Sequence, residues 1–287
     1  MRRHRTTLLL FAPSIAAVLL IFGVPLVVML RYSFDRFISG GMQKSDFILD
    51  NYRRFFTDDL YRAAMWRTLE IGLVVTIVSL VLSFPLAYSL ARATGVWGRI
   101  LTLIVVVPLL TSIVVRSFGW MILLSDGGAV QKIAMALGVP KLQWMFSSRG
   151  VVLSLVEVLM PFMVLTLSGV IKQIDVELER AVRSLGGGPW RVFRDVLVPL
   201  SVPGIAAGSL LVFVLSISAY ATPALVGGEQ TQVLASMIYG QATTALNWPF
   251  ASAISIITLV LVLLLVWLQG ALVRRAPALQ ESGGEGR

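Results

Sequence analysis

The sequence predicts an all-α membrane protein whose helices cross the bilayer six times. It has 287 residues, of which 57% are hydrophobic and only 14% are charged. A soluble domain of this size would carry about a quarter charged residues. The apolar residues gather in runs of roughly 20, the length of helix that crosses a hydrocarbon core of ~30 Å. Low charge and long apolar runs together predict the fold class before any motif is considered.

Six apolar runs are long enough to cross a membrane. They are Leu8–Leu30, Leu69–Leu90, Ile100–Leu124, Val151–Ile171, Leu200–Leu225 and Ala251–Val273. The first run exceeds the ~7–15 residues of a signal-peptide core, and no clear small-residue cleavage site follows it. We therefore expect an uncleaved first helix. An even number of spans places both termini on the same side of the membrane.

The positions of Lys and Arg favour cytoplasmic termini, because cytoplasmic segments carry an excess of these residues. The basic start Met1–Arg5, which contains the only histidine, His4, supports this orientation, and so does the pair Arg274 and Arg275. The prediction is a single transmembrane domain over 1–287. Its parts are a first helix with an extracytoplasmic loop (1–68), a five-helix core (69–273) that includes the loop 172–198, and a cytoplasmic tail (274–287).

Composition and motifs also exclude several functions. The chain has no cysteine, so it can form neither a disulfide nor a thiolate metal site. The net charge of +9 does not indicate nucleic-acid binding, because the cations lie between the apolar runs. No Gly-Lys pair is present for a Walker-type phosphate loop, and no HExxH or GxSxG motif occurs. We predict no catalytic, cofactor-binding or metal-binding residue, and no enzyme activity.

The loop 172–198 predicts two short helices separated by glycine. Asp175 is a favourable N-cap, Gly186 ends the first helix, and Pro189 suits the first turn of the second. An apolar stripe runs along both helices through Leu178, Ala181, Val182, Leu185, Trp190, Phe193 and Leu197 to Pro199. Such a stripe either docks in the groove of a partner protein or lies on lipid headgroups. Spacing alone favours neither reading.

This loop resembles the cytoplasmic signature of binding-protein-dependent ABC importer permeases. That signature reads Glu-Ala-Ala, three residues, Gly, nine residues, Ile-x-Leu-Pro, and here it aligns on Arg180–Val182, Gly186 and Val196–Pro199. Arg180 stands where the signature has Glu, and Val182 where it has Ala. Glu179 comes one residue early, so it points about 100° away on a helix. These two departures put in question any contact that needs the carboxylate of the signature. They leave the apolar stripe intact.

Other stretches are similar to polyamine-type permeases, namely Val107–Trp120, Met160–Met163, Ser218–Gly228 and Asn247–Phe250. The resemblance implies a type I (MetI-like) permease fold in a bacterial inner membrane. It also implies a second homologous permease, two ABC ATPase subunits that hold ATP and Mg²⁺, and a periplasmic solute-binding protein. The loop would be the coupling helix that docks on the ATPase. Its expected docking residues are Leu178, Glu179, Arg180, Ala181, Val182, Leu185, Gly186, Trp190, Phe193 and Pro199.

The resemblance implies a small solute, with spermidine or putrescine as the first choice. Related permeases carry opines, phosphonates or ferric iron. Two ionisable residues inside the spans, Arg116 and Glu157, lie at matching depths and are expected to pair. The pair either lines the solute path or is only structural. Further candidates for the path are Trp120, Asp126, Tyr220 and Trp248, although Trp and Tyr are common at membrane interfaces anyway.

Two other functional classes remain as alternatives. A secondary transporter would work without an ATPase, and it would place more ionisable residues or broken helices at mid-membrane than this sequence suggests. A membrane enzyme would need a convergent nucleophile, metal or acid–base set, and the sequence indicates none.

Overall fold

The computed structural model describes residue 13 and residues 17–38, 42–138 and 143–275, with the backbone alone at 42–44 and 272–275. His4 and the tail beyond residue 275 therefore lie outside the described residues. The helices are α1 (Leu19–Tyr32), α2 (Asp50–Thr57), α3 (Asp59–Arg92), α4 (Gly95–Leu110), α5 (Ile113–Leu124), α6 (Ala129–Ala136), α7 (Ser148–Ile171), α8 (Val176–Ser184), α9 (Pro189–Leu200), α10 (Val202–Ser218), α11 (Leu234–Tyr239) and α12 (Trp248–Arg275). Strands β1 (Arg36–Ile38) and β2 (Met42–Lys44) form an antiparallel hairpin.

By compactness the chain divides into two units, of which the first comprises Met1–Ala63 and Ser236–Leu261. The segment that follows α1 folds through polar contacts to the backbone. The buried Asn51 side chain donates hydrogen bonds to the carbonyls of Ser33 and Asp35, at 2.9 and 3.0 Å. These bonds fix the turn before the hairpin onto the start of α2. The hairpin itself was not predicted, because strands of three residues leave no clear alternation in a sequence.

The second unit comprises Ala64–Ala235 and Val262–Arg287, and α7 supplies much of its core. One row of α7 residues is almost fully buried, at spacings of four: Val151, Leu155, Leu159, Met163, Leu167 and Ile171. Residues at i and i+4 lie on the same face of a helix. Because α7 is buried along its whole length, it is the central helix on which the neighbouring helices of this unit pack.

Helix α10 packs closely on α7 through two glycines. A Cβ atom at Gly204 would lie 2.9 Å from the Val170 side chain, and one at Gly208 would lie 2.7 Å from the Met163 sulfur. The spacing of four residues is the small-xxx-small pattern that allows membrane helices to approach each other closely. The hydrophobic effect does not drive helices together in lipid, so the van der Waals contacts of this close packing contribute much of the attraction between them.

Three helices are long and apolar enough to cross a membrane, namely α3, α7 and Trp248–Ala271 of α12. Two bent pairs bring the number to five if each pair is one span: α4 with α5, bent by 97°, and α9 with α10, bent by 69°. Helix α1 is apolar but shorter, and most of the predicted run before it lies outside the described residues. The helical fold class is observed, with three to five candidate spans among the described residues.

Two predicted spans differ from the observed helices. The run Ile100–Leu124 is not one straight helix, because the backbone becomes extended at Thr111 and Ser112. Pro108 lies in the tight helical turn just before this break, and proline cannot donate the backbone hydrogen bond that continues a helix. The run Leu200–Leu225 also ends early as a regular helix, at Ser218, and a π-helical turn follows over Pro223–Gly227.

We expect Gly204→Ala to destabilise the protein, because the added methyl group would meet the β-branched Val170 at 2.9 Å. Overpacking of this kind costs about 1–3 kcal/mol. Gly169→Ala on the facing helix is the matched control, since a Cβ there meets nothing within 4 Å. Thermal unfolding in detergent should show a lower midpoint for the first variant only. Equal midpoints would show that the contact between α7 and α10 is looser than described.

Candidate functional site

The loop between α7 and α10 folds as the sequence predicts. The Asp175 side chain caps α8 by accepting a hydrogen bond from the Glu177 amide at 2.9 Å. Gly186 follows the end of α8 with a φ of +79°, a backbone conformation that L-residues rarely adopt, and Pro189 occupies the first turn of α9. The predicted helix–glycine–helix arrangement is confirmed.

A buried carboxylate fixes this loop to the helix bundle. The Glu179 side chain is only 2% exposed, and its Oε1 accepts hydrogen bonds from Arg92 Nη2 at 2.7 Å and Nε at 3.0 Å. The Tyr88 hydroxyl donates to Oε2 at 2.8 Å. Arg92 also donates to the Ile174 carbonyl at 3.0 Å, so the end of α3 holds both the start of the loop and α8. A buried ion pair is tolerated when hydrogen bonds satisfy its remaining polar atoms, as they do here.

Sequence reasoning missed Arg92 and Tyr88 because they lie 87 and 91 residues before their partner Glu179. The available signal was the position of Glu179 one residue before the signature triplet. That offset turns the carboxylate away from the side of α8 that carries Arg180, which is exposed and pairs with Glu177. Glu179 is thus a structural anchor of the loop, in contrast to the more exposed residues grouped with it by the motif.

The predicted apolar stripe divides into two parts. Leu178, Ala181, Leu185 and Trp190 are exposed, and we call these four residues the apolar loop face. Leu185 is 83% exposed and Trp190 is 71% exposed. Val182 and Phe193 instead turn inward against the core, where the Phe193 ring packs edge-on against Phe84 at 5.1 Å between centroids. Pro199 is partly buried. The loop therefore uses its inward residues to hold its position and leaves a compact apolar face uncovered.

A second polar centre lies between α5 and α7. Arg116 Nη1 donates to Glu157 Oε1 at 3.1 Å, and Trp120 Nε1 donates to Oε2 at 3.2 Å. The predicted pairing of Arg116 with Glu157 is thus confirmed, while the role of the pair stays a prediction. The Arg116 side chain is 12% exposed, and its Nε atom is buried without a hydrogen-bond partner in the described part of the chain. Both carboxylate oxygens of Glu157 are occupied.

The other candidates for a solute path occupy different surroundings. Asp126 is exposed just after α5, and Tyr220 is partly buried just after α10. Trp248 begins α12, belongs to the first unit and is exposed. The sequence analysis did not identify a buried hydrogen bond of 3.0 Å between the hydroxyls of Ser117 and Thr222, which ties α5 to the segment after α10. Trp120 is brought directly to the Arg116–Glu157 pair by its hydrogen bond to Glu157.

Comparison with known families gives a match to the binding-protein-dependent transport system inner membrane components over residues 79–276. This chain belongs to that family. The spermidine/putrescine transport system permease protein PotB of Escherichia coli (strain K12) is 33% identical over 242 residues, which cover 83% of this chain and 88% of that protein. The family match over residues 79–276 includes α7, the loop and α10, so the family assignment rests on the core of the second unit.

Solved structures show the same fold. A crystal structure of a bacterial alginate ABC transporter, in complex with an alginate-bound periplasmic protein, contains a chain that matches with a TM-score of 0.77 at 18% identity, covering 96% of each chain. A chain of the MetNI methionine ABC transporter, in an inward-facing conformation, matches with a TM-score of 0.58 at 17% identity. That match covers 77% of this chain and all of that chain. The fold is therefore the MetI-like fold of ABC permeases.

Family and fold together define what the chain does. It is a multi-pass membrane protein and the permease subunit of an ABC importer, which is a transport component and not an enzyme. It functions with the partner proteins of an ABC system. The buried Glu179 anchor and the apolar loop face are the parts of this chain that bear most directly on how such partners would act on it.

We expect Glu179→Gln to loosen α8, because the change leaves Arg92 with an uncompensated charge in a largely buried site. Removing one partner of a buried ion pair costs about 3–5 kcal/mol. Hydrogen exchange of the amides of Val176–Ser184 should accelerate by at least tenfold. Glu177→Gln is the matched control, because Glu177 lies on the same helix and pairs with Arg180 in an exposed position. Equal exchange in the two variants would contradict the anchoring role.

Proposed function

We propose that this chain is one of two homologous permeases in a bacterial inner-membrane importer for spermidine, putrescine or a related organic cation. In this proposal it crosses the membrane six times with both termini in the cytoplasm. A periplasmic binding protein delivers the solute, and two ABC ATPase subunits that bind ATP and Mg²⁺ drive the change of access. The relationship to a spermidine/putrescine permease at 33% identity supports the choice of solute.

The observation that carries the mechanism is the apolar loop face. Its residues are uncovered, while Val182 and Phe193 on the same loop are packed against the core. An amphipathic helix of this kind binds in a hydrophobic groove of a partner. Because Glu179 fixes α8 to the end of α3, a push from a partner at this face would reach the bundle through a short buried ion pair. We propose that the ATPase docks here.

The Arg116–Glu157 pair would lie along the solute path. A cationic amine can hydrogen-bond to a carboxylate and stack on an aromatic ring, and Glu157 has Trp120 beside it. Arg116 already neutralises Glu157, so an amine would have to compete for that carboxylate. Competition would keep the solute loosely held, which suits transport because a solute must leave as readily as it enters.

We expect Leu185→Gln to prevent docking of the ATPase, because it places an amide on the most exposed apolar residue of the loop face. Co-purification of the ATPase with the tagged permease from native membranes should fall by at least tenfold, given that core interface residues contribute about 2 kcal/mol or more. Leu137→Gln is the control, since Leu137 just after α6 is also a highly exposed leucine, at 76% against 83% for Leu185. Undiminished co-purification with Leu185→Gln would place the docking surface elsewhere.

We expect Glu157→Gln to reduce initial uptake of labelled spermidine by about tenfold, because it removes the charge that attracts an amine. The yield of the assembled complex should change much less. Glu70→Gln replaces an exposed carboxylate on α3 and should leave uptake unchanged. If yield and uptake fall in proportion, the pair is structural. Uptake should be competed by putrescine and not by a neutral sugar, and the reverse order would exclude an organic cation as the solute.

A further inference from the structure

A basic cavity opens at the end of the second unit that carries the loop. It has a volume of about 490 Å³ and is lined by the last turn of α3, the first turns of α4 and the residue that follows α7. Its two charged lining residues are Arg99 and Lys172. No Asp or Glu contributes to the lining. The cavity is therefore a concentrated positive site of a size that can receive a small polar group.

Neither cation is neutralised within the described part of the chain. The side chains of Arg99 and Lys172 are both exposed and take part in no ion pair or hydrogen bond among the described residues. Other exposed arginines in the same region behave differently, since Arg180 pairs with Glu177, and Arg191 with Asp195. Helix α4 also begins at this cavity, with Gly95 in the lining and no side-chain cap from Thr94, so the positive end of its dipole adds to the field.

An exposed apolar face of α4 runs away from the cavity. Val96, Trp97, Ile100, Leu103 and Ile104 are all exposed, and their spacing places them in one stripe along the helix. Trp97 is 72% exposed in the first turn, next to Arg99. An exposed Trp beside cations at the end of an apolar helix is typical of the boundary between headgroups and acyl chains.

The cavity lies at the same end of the bundle as the loop. Arg92, at the end of α3, bonds to Ile174 and Glu179 of the loop, and Lys172 is the first residue after α7. In the proposed orientation this end faces the cytoplasm. Basic pockets between membrane helices on the cytoplasmic side are suited to anionic lipid headgroups.

We propose that this cavity binds one anionic phospholipid of the cytoplasmic leaflet. The phosphodiester lies between Arg99 and Lys172, and an acyl chain runs along the exposed side of Leu103. The lipid would join the start of α4 to the end of α7, next to the loop. The choice of the cytoplasmic leaflet rests on the proposed function. The positive charge and the apolar surroundings of the cavity belong to this chain whatever it transports.

The test measures lipid binding by the full chain in complex with its co-purifying partners. The complex is placed in nanodiscs of phosphatidylcholine, and phosphatidylglycerol is added in steps. Native mass spectrometry counts the lipid retained per permease chain. We expect retention of phosphatidylglycerol over phosphatidylcholine. The double variant Arg99→Gln/Lys172→Gln should lower the apparent affinity by about 25-fold, at roughly fivefold for each cation. The charge-keeping variant Arg99→Lys/Lys172→Arg should retain most of the binding.

The control Arg191→Gln/Arg194→Gln removes two exposed cations from α9, at the same end of the second unit. An equal loss of lipid in this control would reduce the effect to general surface charge and overturn the proposal. So would undiminished retention in the double variant, or no preference by the native chain. Displacement of the lipid by excess inorganic phosphate would assign the site to a soluble anion instead. None of these outcomes depends on whether the ATPase docks or spermidine is carried.

Discussion

The buried Glu179 carboxylate is the contact that holds the loop between α7 and α10 to the end of α3. It accepts hydrogen bonds from Arg92 and Tyr88 of α3, so α8 cannot shift without either moving the end of α3 or breaking a buried ion pair. Breaking such a pair is expensive, because each charge would be left in a site from which water is excluded. A rigid connection is therefore favoured over an independent hinge. The apolar loop face can then stay exposed while the loop keeps its position.

The second unit combines two kinds of packing that suit a protein in lipid. Helix α7 is buried along its length, while α4 exposes one apolar face. Between α7 and α10 the contact is made through Gly204 and Gly208, where the absence of a side chain brings two backbones together. The buried hydroxyls of Ser117 and Thr222 hydrogen-bond to each other, which is favourable because an unpaired polar group in hydrocarbon costs several kcal/mol.

The sequence predicted features that depend on local chemistry or on length. The Asp175 cap, the turn at Gly186 and the start at Pro189 follow from preferences of single residues, and apolar runs of sufficient length indicated the membrane helices. Arg116 and Glu157 could be paired because their depths in neighbouring runs matched. The anchor formed by Arg92 could not be found in this way, since it joins residues far apart in the chain. The break at Thr111 was missed because hydropathy is insensitive to backbone direction.

Helix α9 contains a π-helical turn over Phe193–Leu197, and this turn affects how far the chain rotates around the helix axis for each residue. A π turn holds one residue more than the equivalent α turn, and one residue corresponds to about 100° around a helix. A single deletion in this turn closes it into a regular α turn, so Pro199 and the start of α10 stay on the same side. A single-residue gap between Phe193 and Leu197 in an alignment therefore marks the loss of the π turn and not a shift in the register of α10 on α7.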